Sequence, residues 1–224
     1  MSLMAIERQH QAEREALETQ INAHFLCNTL GTINYEAIEA GNRKVSLLIK
    51  KLSNILRYTF DQKCQNVYMS QEFAWIEQYL YLQKARFEDA FDYEIDLQEE
   101  YDMWPCCKLM LQPFVENAII HGFKGREIGG MLKIMAKGQG EYIKIVINDN
   151  GYGIPEEREK AIQEIIKGND VSDDLRIGIG IRNVVARIHI FYGDSAQISL
   201  WSKEGEGTKF EFLLPYPERK EECI

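Results

Sequence analysis

The chain has 224 residues, 45% hydrophobic and 27% charged, a balance that fills one or two folded domains and leaves disorder out of consideration. Its formal net charge of -9 comes without a basic run, which argues against nucleic acid as a partner, because such binding concentrates Lys and Arg to displace counterions. The five cysteines include no C-x-x-C pair, so neither a disulfide framework nor a zinc site is expected, and no apolar stretch approaches the ~18 residues needed to cross a bilayer. The chain as given reads as soluble and suited to a reducing cytoplasm.

Met1-Ser2-Leu3 reads as a start added in cloning, and the helical pattern behind it opens without an N-cap, as in a piece cut from a longer protein. From about Ile6 to Ala40 the sequence is helix-forming and free of Pro. At ~100° per residue, Ile21, Phe25, Leu26, Thr29, Leu30, Ile33 and Ala37 share one apolar arc, and His24 falls almost opposite its middle. Gly41-Asn42 supplies a turn, and a second helix follows in the i, i+3, i+4, i+7 rhythm of Val45, Leu48, Ile49, Leu52, Ile55, Leu56 and Thr59. Two such helices cannot bury both stripes against each other, so a homodimeric four-helix bundle is the expected completion.

A third helix, Gln71 to Glu88, is expected to link this hairpin to the next domain. After Phe91 the rhythm shortens to strands at Tyr93–Leu97, Met131–Lys137, Tyr142–Ile147, Ala196–Trp201 and Thr208–Leu214, with helices at Lys108–His121, Glu156–Lys167 and Ile181–Phe191. The fold class is α+β: a helical hairpin over residues 4–68, a linking helix over 69–90, a two-layer α/β sandwich over 91–217 and a tail over 218–224.

Three short motifs carry candidate chemistry. Asp149-Asn150-Gly151-Tyr152-Gly153 follows an apolar strand and sets a carboxylate above a turn that a flat ligand can approach. Gly178-Ile179-Gly180-Ile181-Arg182-Asn183 opens a helix whose free N–H groups and dipole favour an anion. Glu116-Asn117-Ala118, with His121 one turn on, offers an amide oxygen of the kind Mg²⁺ accepts when it also holds phosphates. Taken singly, each reads better as ordinary structure: an Asn-Gly turn, a plain helix start, a polar helix face.

Their order changes that reading. An Asn-bearing helix, a D-x-G-x-G strand end, a G-x-G helix start and Gly205-Glu206-Gly207-Thr208 before a last strand resemble the N, G1, G2 and G3 boxes of the GHKL ATP-binding fold. The resemblance implies that Asp149 accepts from the adenine amino group, that Asn117 binds Mg²⁺, and that Gly178 and Gly180 lie beside the phosphates. His121, Gly151, Gly153, Asn183, Gly207 and Thr208 complete the implied ATP-binding set.

Gln20-Ile21-Asn22-Ala23-His24-Phe25-Leu26-Cys27-Asn28-Thr29-Leu30 resembles the Q-I-N-P-H-F-L-F/Y-N-T-L signature of LytS-like and YesM-like sensor histidine kinases. Leu111-Gln112-Pro113-Phe114-Val115-Glu116-Asn117-Ala118 is similar to their L-Q-P-x-V-E-N-A. Ala23 stands where that family has Pro, and Cys27 where it has an aromatic residue; losing the Pro should straighten a local bend.

The resemblance implies ATP-dependent phosphorylation of His24 with Mg²⁺, transfer to an Asp on a response regulator receiver domain, and a membrane-bound sensor upstream. Asn28, one turn after His24, is a candidate to orient the imidazole, and Glu116 a runner-up for proton handling. A nucleotide-binding signalling dimer without transfer, and a GHKL ATPase of another class, are the alternatives. The latter class usually places a catalytic Glu four residues before the N-box Asn, where this chain has Pro113.

Overall fold

The computed structural model describes residues 23–61, 65–125, 127–169 and 179–217, in two compact units, Met1–Gln62 and Lys63–Ile224.

In the first unit, helix α1 covers 23–39 among the described residues and α2 spans Arg43–Phe60. The expected turn joins them. Gly41 takes a φ of 68°, a left-handed conformation that side chains resist, and Asn42 Oδ1 caps α2 by accepting from the Val45 amide at 3.2 Å. Ser46 Oγ donates to Asn34 Oδ1 across the hairpin at 2.7 Å. Ala37, Ile49 and Ile55 are buried, but Phe25, Leu26, Ile33, Val45 and Leu52 stay exposed, so the wheel's apolar arc is only partly used within one chain.

The second unit opens with β1 (Asn66–Tyr68), antiparallel to β3 (Pro105–Cys107). The two compact units divide at 62/63, ahead of this strand pair. Helix α3 (Met69–Phe87) is no free link: it buries Met69, Phe73, Trp75, Ile76 and Leu80, and burial of that much apolar surface ties it into this unit.

A five-stranded sheet follows in the order β2-β4-β5-β7-β6, comprising β2 (Phe91–Leu97), β4 (Gly130–Gln139), β5 (Tyr142–Asp149), β6 (Gln197–Lys203) and β7 (Gly207–Pro215). Among the described residues only β2 and β4 run parallel; the other pairs of this sheet are antiparallel. Alternation sorts the faces. Ile198 and Leu200 point into the core, while Lys133–Glu94 (2.8 Å) and Lys144–Glu211 (3.2 Å) pair where water still reaches the other face.

Helices α4 (Gln112–Asn117), α5 (Glu156–Ile166) and α6 (Ile179–Tyr192) complete the sandwich. Phe114 of α4 packs against Phe210 and Phe212 of β7 at ring-centroid distances of 4.8 and 4.9 Å. The helix expected from Lys108 begins only at Gln112, since Leu109 takes a φ of 58° and the amides of Leu109 and Leu111 are claimed by Glu72. A π-helical turn, Ala118–Gly122, follows α4.

Candidate functional site

The site in the second unit is built where β5 ends. Asn150 fastens that end, its Oδ1 accepting from the Met131 amide at 2.7 Å and its Nδ2 donating to the Gly129 carbonyl at 3.0 Å. Asp149, 5% exposed, is thereby held at the edge of the core, and its Oδ1 accepts from the Gly151 amide at 2.8 Å. Bonds to an ionised carboxylate are among the stronger ones, which helps to offset its burial.

Glycines crowd Asp149 and the loops beside it. A Cβ on Gly122 would lie 3.2 Å from Asp149 Oδ1, one on Gly151 2.5 Å from the Gly122 carbonyl oxygen, and one on Gly207, where φ is 115°, 2.0 Å from the Asp149 carbonyl oxygen. A Cβ on Gly153 would meet the Lys203 carbonyl oxygen at 2.2 Å. Gly151, Gly153 and Gly207 thus do more than open a path for a flat ligand; they let three loops close onto one another. Two backbone bonds complete that closure, Tyr152 N–H to the Gly122 carbonyl (2.9 Å) and Gly205 N–H to the Tyr152 carbonyl (2.8 Å).

Thr208 lies opposite Asp149 in the β5–β7 register and is buried. Ser202, which the sequence reading passed over, links the loops: its Oγ accepts from the Ile154 amide at 2.8 Å and donates to the Gly207 carbonyl at 3.0 Å. With that single proton committed, Thr208 Oγ1, 3.0 Å away, must be the donor between the two hydroxyls. A signal for Ser202 existed, because a serine occupies the inward position after Ile198 and Leu200 on β6.

Asn117 closes α4, half-buried, and the Gly122 carbonyl that receives Tyr152 belongs to the turn that follows it. Glu116 accepts from Gln112 Nε2 at 2.7 Å. It also faces Tyr79 of α3, whose phenol is pushed up to about 12 by burial and by the Glu116 charge, against the opposing pull of Gln83 and Arg86. His121 is exposed in the π-helical turn, and its pKa sits below the ordinary histidine value because of partial burial and the nearby cations Arg158 and Lys124. Gly180, in the first turn of α6, sits against α4, where a Cβ would come 3.5 Å from Pro113 Cβ. Asn183 is exposed one turn on. Gly178 lies outside the described residues.

Asp149, Gly151, Gly153, Gly207, Thr208 and the turn after Asn117 therefore meet at one end of the sheet. In the first unit, His24 is exposed on α1. Asn28 Nδ2 stands 3.3 Å from both Nδ1 and Nε2 of its ring, so the amide covers the nitrogen edge of the imidazole without choosing between the two.

Residues 12–91 match the histidine kinase family, and residues 107–218 match the histidine kinase-, DNA gyrase B-, and HSP90-like ATPases. Sensor protein kinase HptS of Staphylococcus aureus is 30% identical over 208 residues, which is 93% of this chain and 39% of that protein. The chain thus spans about two fifths of the length of the curated relatives it matches. Among solved structures, the histidine kinase domain of a blue-light activated histidine kinase from Erythrobacter litoralis aligns with a TM-score of 0.50 at 14% identity, covering 94% of each chain, which is a likeness of fold. The two matches, one over the hairpin and α3 and the other over most of the sandwich, show that this chain belongs to the histidine kinases and carries an ATPase unit of the kind shared with DNA gyrase B and HSP90.

Proposed function

We propose that the chain is the cytoplasmic kinase portion of a two-component sensor kinase of the LytS-like and YesM-like branch. In this reading it binds ATP with Mg²⁺ beside Asp149, phosphorylates His24, and passes the phosphoryl group to an Asp of a response regulator receiver domain. The observation that carries it is the nearly buried Asp149 carboxylate flanked by Gly122 and Gly151, in a chain that also presents an exposed histidine with an asparagine on its ring.

The residues fit an adenine nucleotide, for a strand-end carboxylate walled by glycines is an acceptor that a flat donor can reach. Asp149 would accept from the adenine amino group, the Asn117 amide oxygen would join the coordination of Mg²⁺, and the first turn of α6 would offer N–H groups to phosphate. Bound MgATP supplies the γ-phosphoryl group and the charge that neutralises the departing ADP. His24 needs little activation, because a neutral imidazole already has a nucleophilic lone pair. As its nitrogen bonds to phosphorus, the bond to the β–γ bridging oxygen breaks, and Asn28 holds the ring in position.

Exposed Phe25, Leu26 and Ile33 on α1, with Val45 and Leu52 on α2, support a homodimer. No helix among the described residues is long and apolar enough to cross a membrane; anchoring, in this reading, belongs to segments upstream.

Incubation with γ-labelled ATP and Mg²⁺ tests the proposal. Acid-labile, alkali-stable label on the wild-type chain and none on His24→Ala is the expected result. Nucleotide binding without label would leave a signalling dimer, and steady phosphate release without a phosphoprotein would indicate an ATPase of another class.

A further inference from the structure

Glu72 is completely buried in the first turn of α3, a costly place for a carboxylate unless its oxygens are satisfied. Its Oε2 accepts from the Leu109 amide at 2.9 Å and its Oε1 from the Leu111 amide at 3.0 Å. Both donors lie in the turn that delivers the chain into α4, and Leu109 there holds a φ of 58°, a strained conformation for a leucine. The turn is gripped from its other side by α6: the Arg187 guanidinium donates to the Lys108 carbonyl, and Tyr192 Oη donates to the Pro105 carbonyl at 2.8 Å.

Helix α4 is only 6 residues long and begins directly after the gripped turn. Its far end, with Glu116 and Asn117, lies ~9 Å from Leu111 at 1.5 Å per residue. So short a helix passes on any tilt of its root. Tyr79 of α3 also lies near enough to Glu116 of α4 for that charge to push its phenol up.

We propose that Glu72 and Arg187 are positioning residues for the Mg²⁺-binding end of α4. Together they clamp residues 108–111 between α3 and α6, and so fix where Asn117 stands relative to the phosphate-facing first turn of α6. The proposal rests on the functional reading above. Neither residue touches nucleotide; each acts through the backbone of the turn.

Glu72→Gln tests this directly, because an amide can accept from one of the two N–H groups but turns its own NH₂ toward the other. Arg187→Ala is the second variant, at an exposed position, and keeps the test open should Glu72→Gln not fold. Two quantities are read on the full chain: the factor by which Mg²⁺ strengthens ATP binding over the same titration in EDTA, and amide hydrogen exchange along 109–117.

In each folded variant the Mg²⁺ factor should fall about tenfold, the scale of losses when a residue supporting a metal ligand is removed, and exchange should quicken selectively over 109–117. An unchanged Mg²⁺ factor with only a lower melting temperature would mean a structural role and overturn the proposal. Unchanged exchange over 109–117 would overturn it whatever the nucleotide does. A wild-type chain that binds no ATP would instead overturn the functional reading, and the exchange profile would still decide the clamp.

Discussion

Asp149 shows how one side chain can be legible in the sequence while part of its surroundings is not. Its place after an apolar strand and before two glycines marked it as an acceptor, and the structure puts it at the end of β5 with its Oδ1 on the Gly151 amide. Gly151 and Gly153, which in the sequence form a turn that a flat ligand can approach, are also required by backbone atoms of neighbouring loops, as is Gly207. That requirement was out of reach because the loops are brought together only by the sheet. Asp149→Asn keeps the size of the side chain and removes its charge. ATP affinity should fall ~10- to 100-fold, as for loss of a charge-assisted bond of about 1.5–3 kcal/mol, with an unchanged far-ultraviolet circular dichroism spectrum; calorimetric titration gives the answer. Asn28→Ala should slow labelling of His24 about fivefold, the worth of a bond near 1 kcal/mol, and an unchanged rate would remove Asn28 from any orienting role. His121 has a folded-state pKa below the unfolded value, so the folded chain binds fewer protons there. Its contribution to stability is present at neutral pH and lost as pH falls through about 6.5 and then through the lower folded value; a proton NMR titration should find its midpoint below that reference.

At the scale of elements, the long strands were legible because alternation over seven or more residues has a period that nothing else mimics. β1 and β3, with 3 residues each, are too short to show a period, and so α3 looked like a link instead of a helix docked into the sandwich. The start of α4 was missed for a related reason. What delays it is Glu72, 37 and 39 residues away along the chain from its two donors, a contact that no local pattern records. The packing around α4 also yields a stability prediction. Phe114 is almost fully buried between Phe210 and Phe212, so Phe114→Ala should cost about 3–5 kcal/mol through lost burial and the cavity left behind. Urea unfolding of the second unit measures it, and a loss below ~1 kcal/mol would mean that β7 relaxes into the gap.

For the whole molecule, the amphipathic pattern of the hairpin said that one chain could not satisfy itself, and the exposed Phe25, Leu26 and Ile33 agree with that expectation. The pattern could not say which face each residue would take, because Ala37 turns inward from the same sequence stripe. A carboxylate on the exposed part of the stripe would have to be buried in a bundle of two chains, at a penalty that dissociation avoids. Ile33→Glu should therefore convert a wild-type dimer at micromolar concentration into a species of 26.0 kDa, read by sedimentation equilibrium. A wild-type chain that already sediments as a monomer would sink the dimer. ATP binding beside Asp149 should survive the substitution, since Asp149 and the loops that close around it all belong to the second unit. Labelling of His24 in the monomer then separates two routes. If the phosphoryl group passes between chains, label is lost although nucleotide is still bound; if it passes within a chain, label appears at a rate independent of protein concentration.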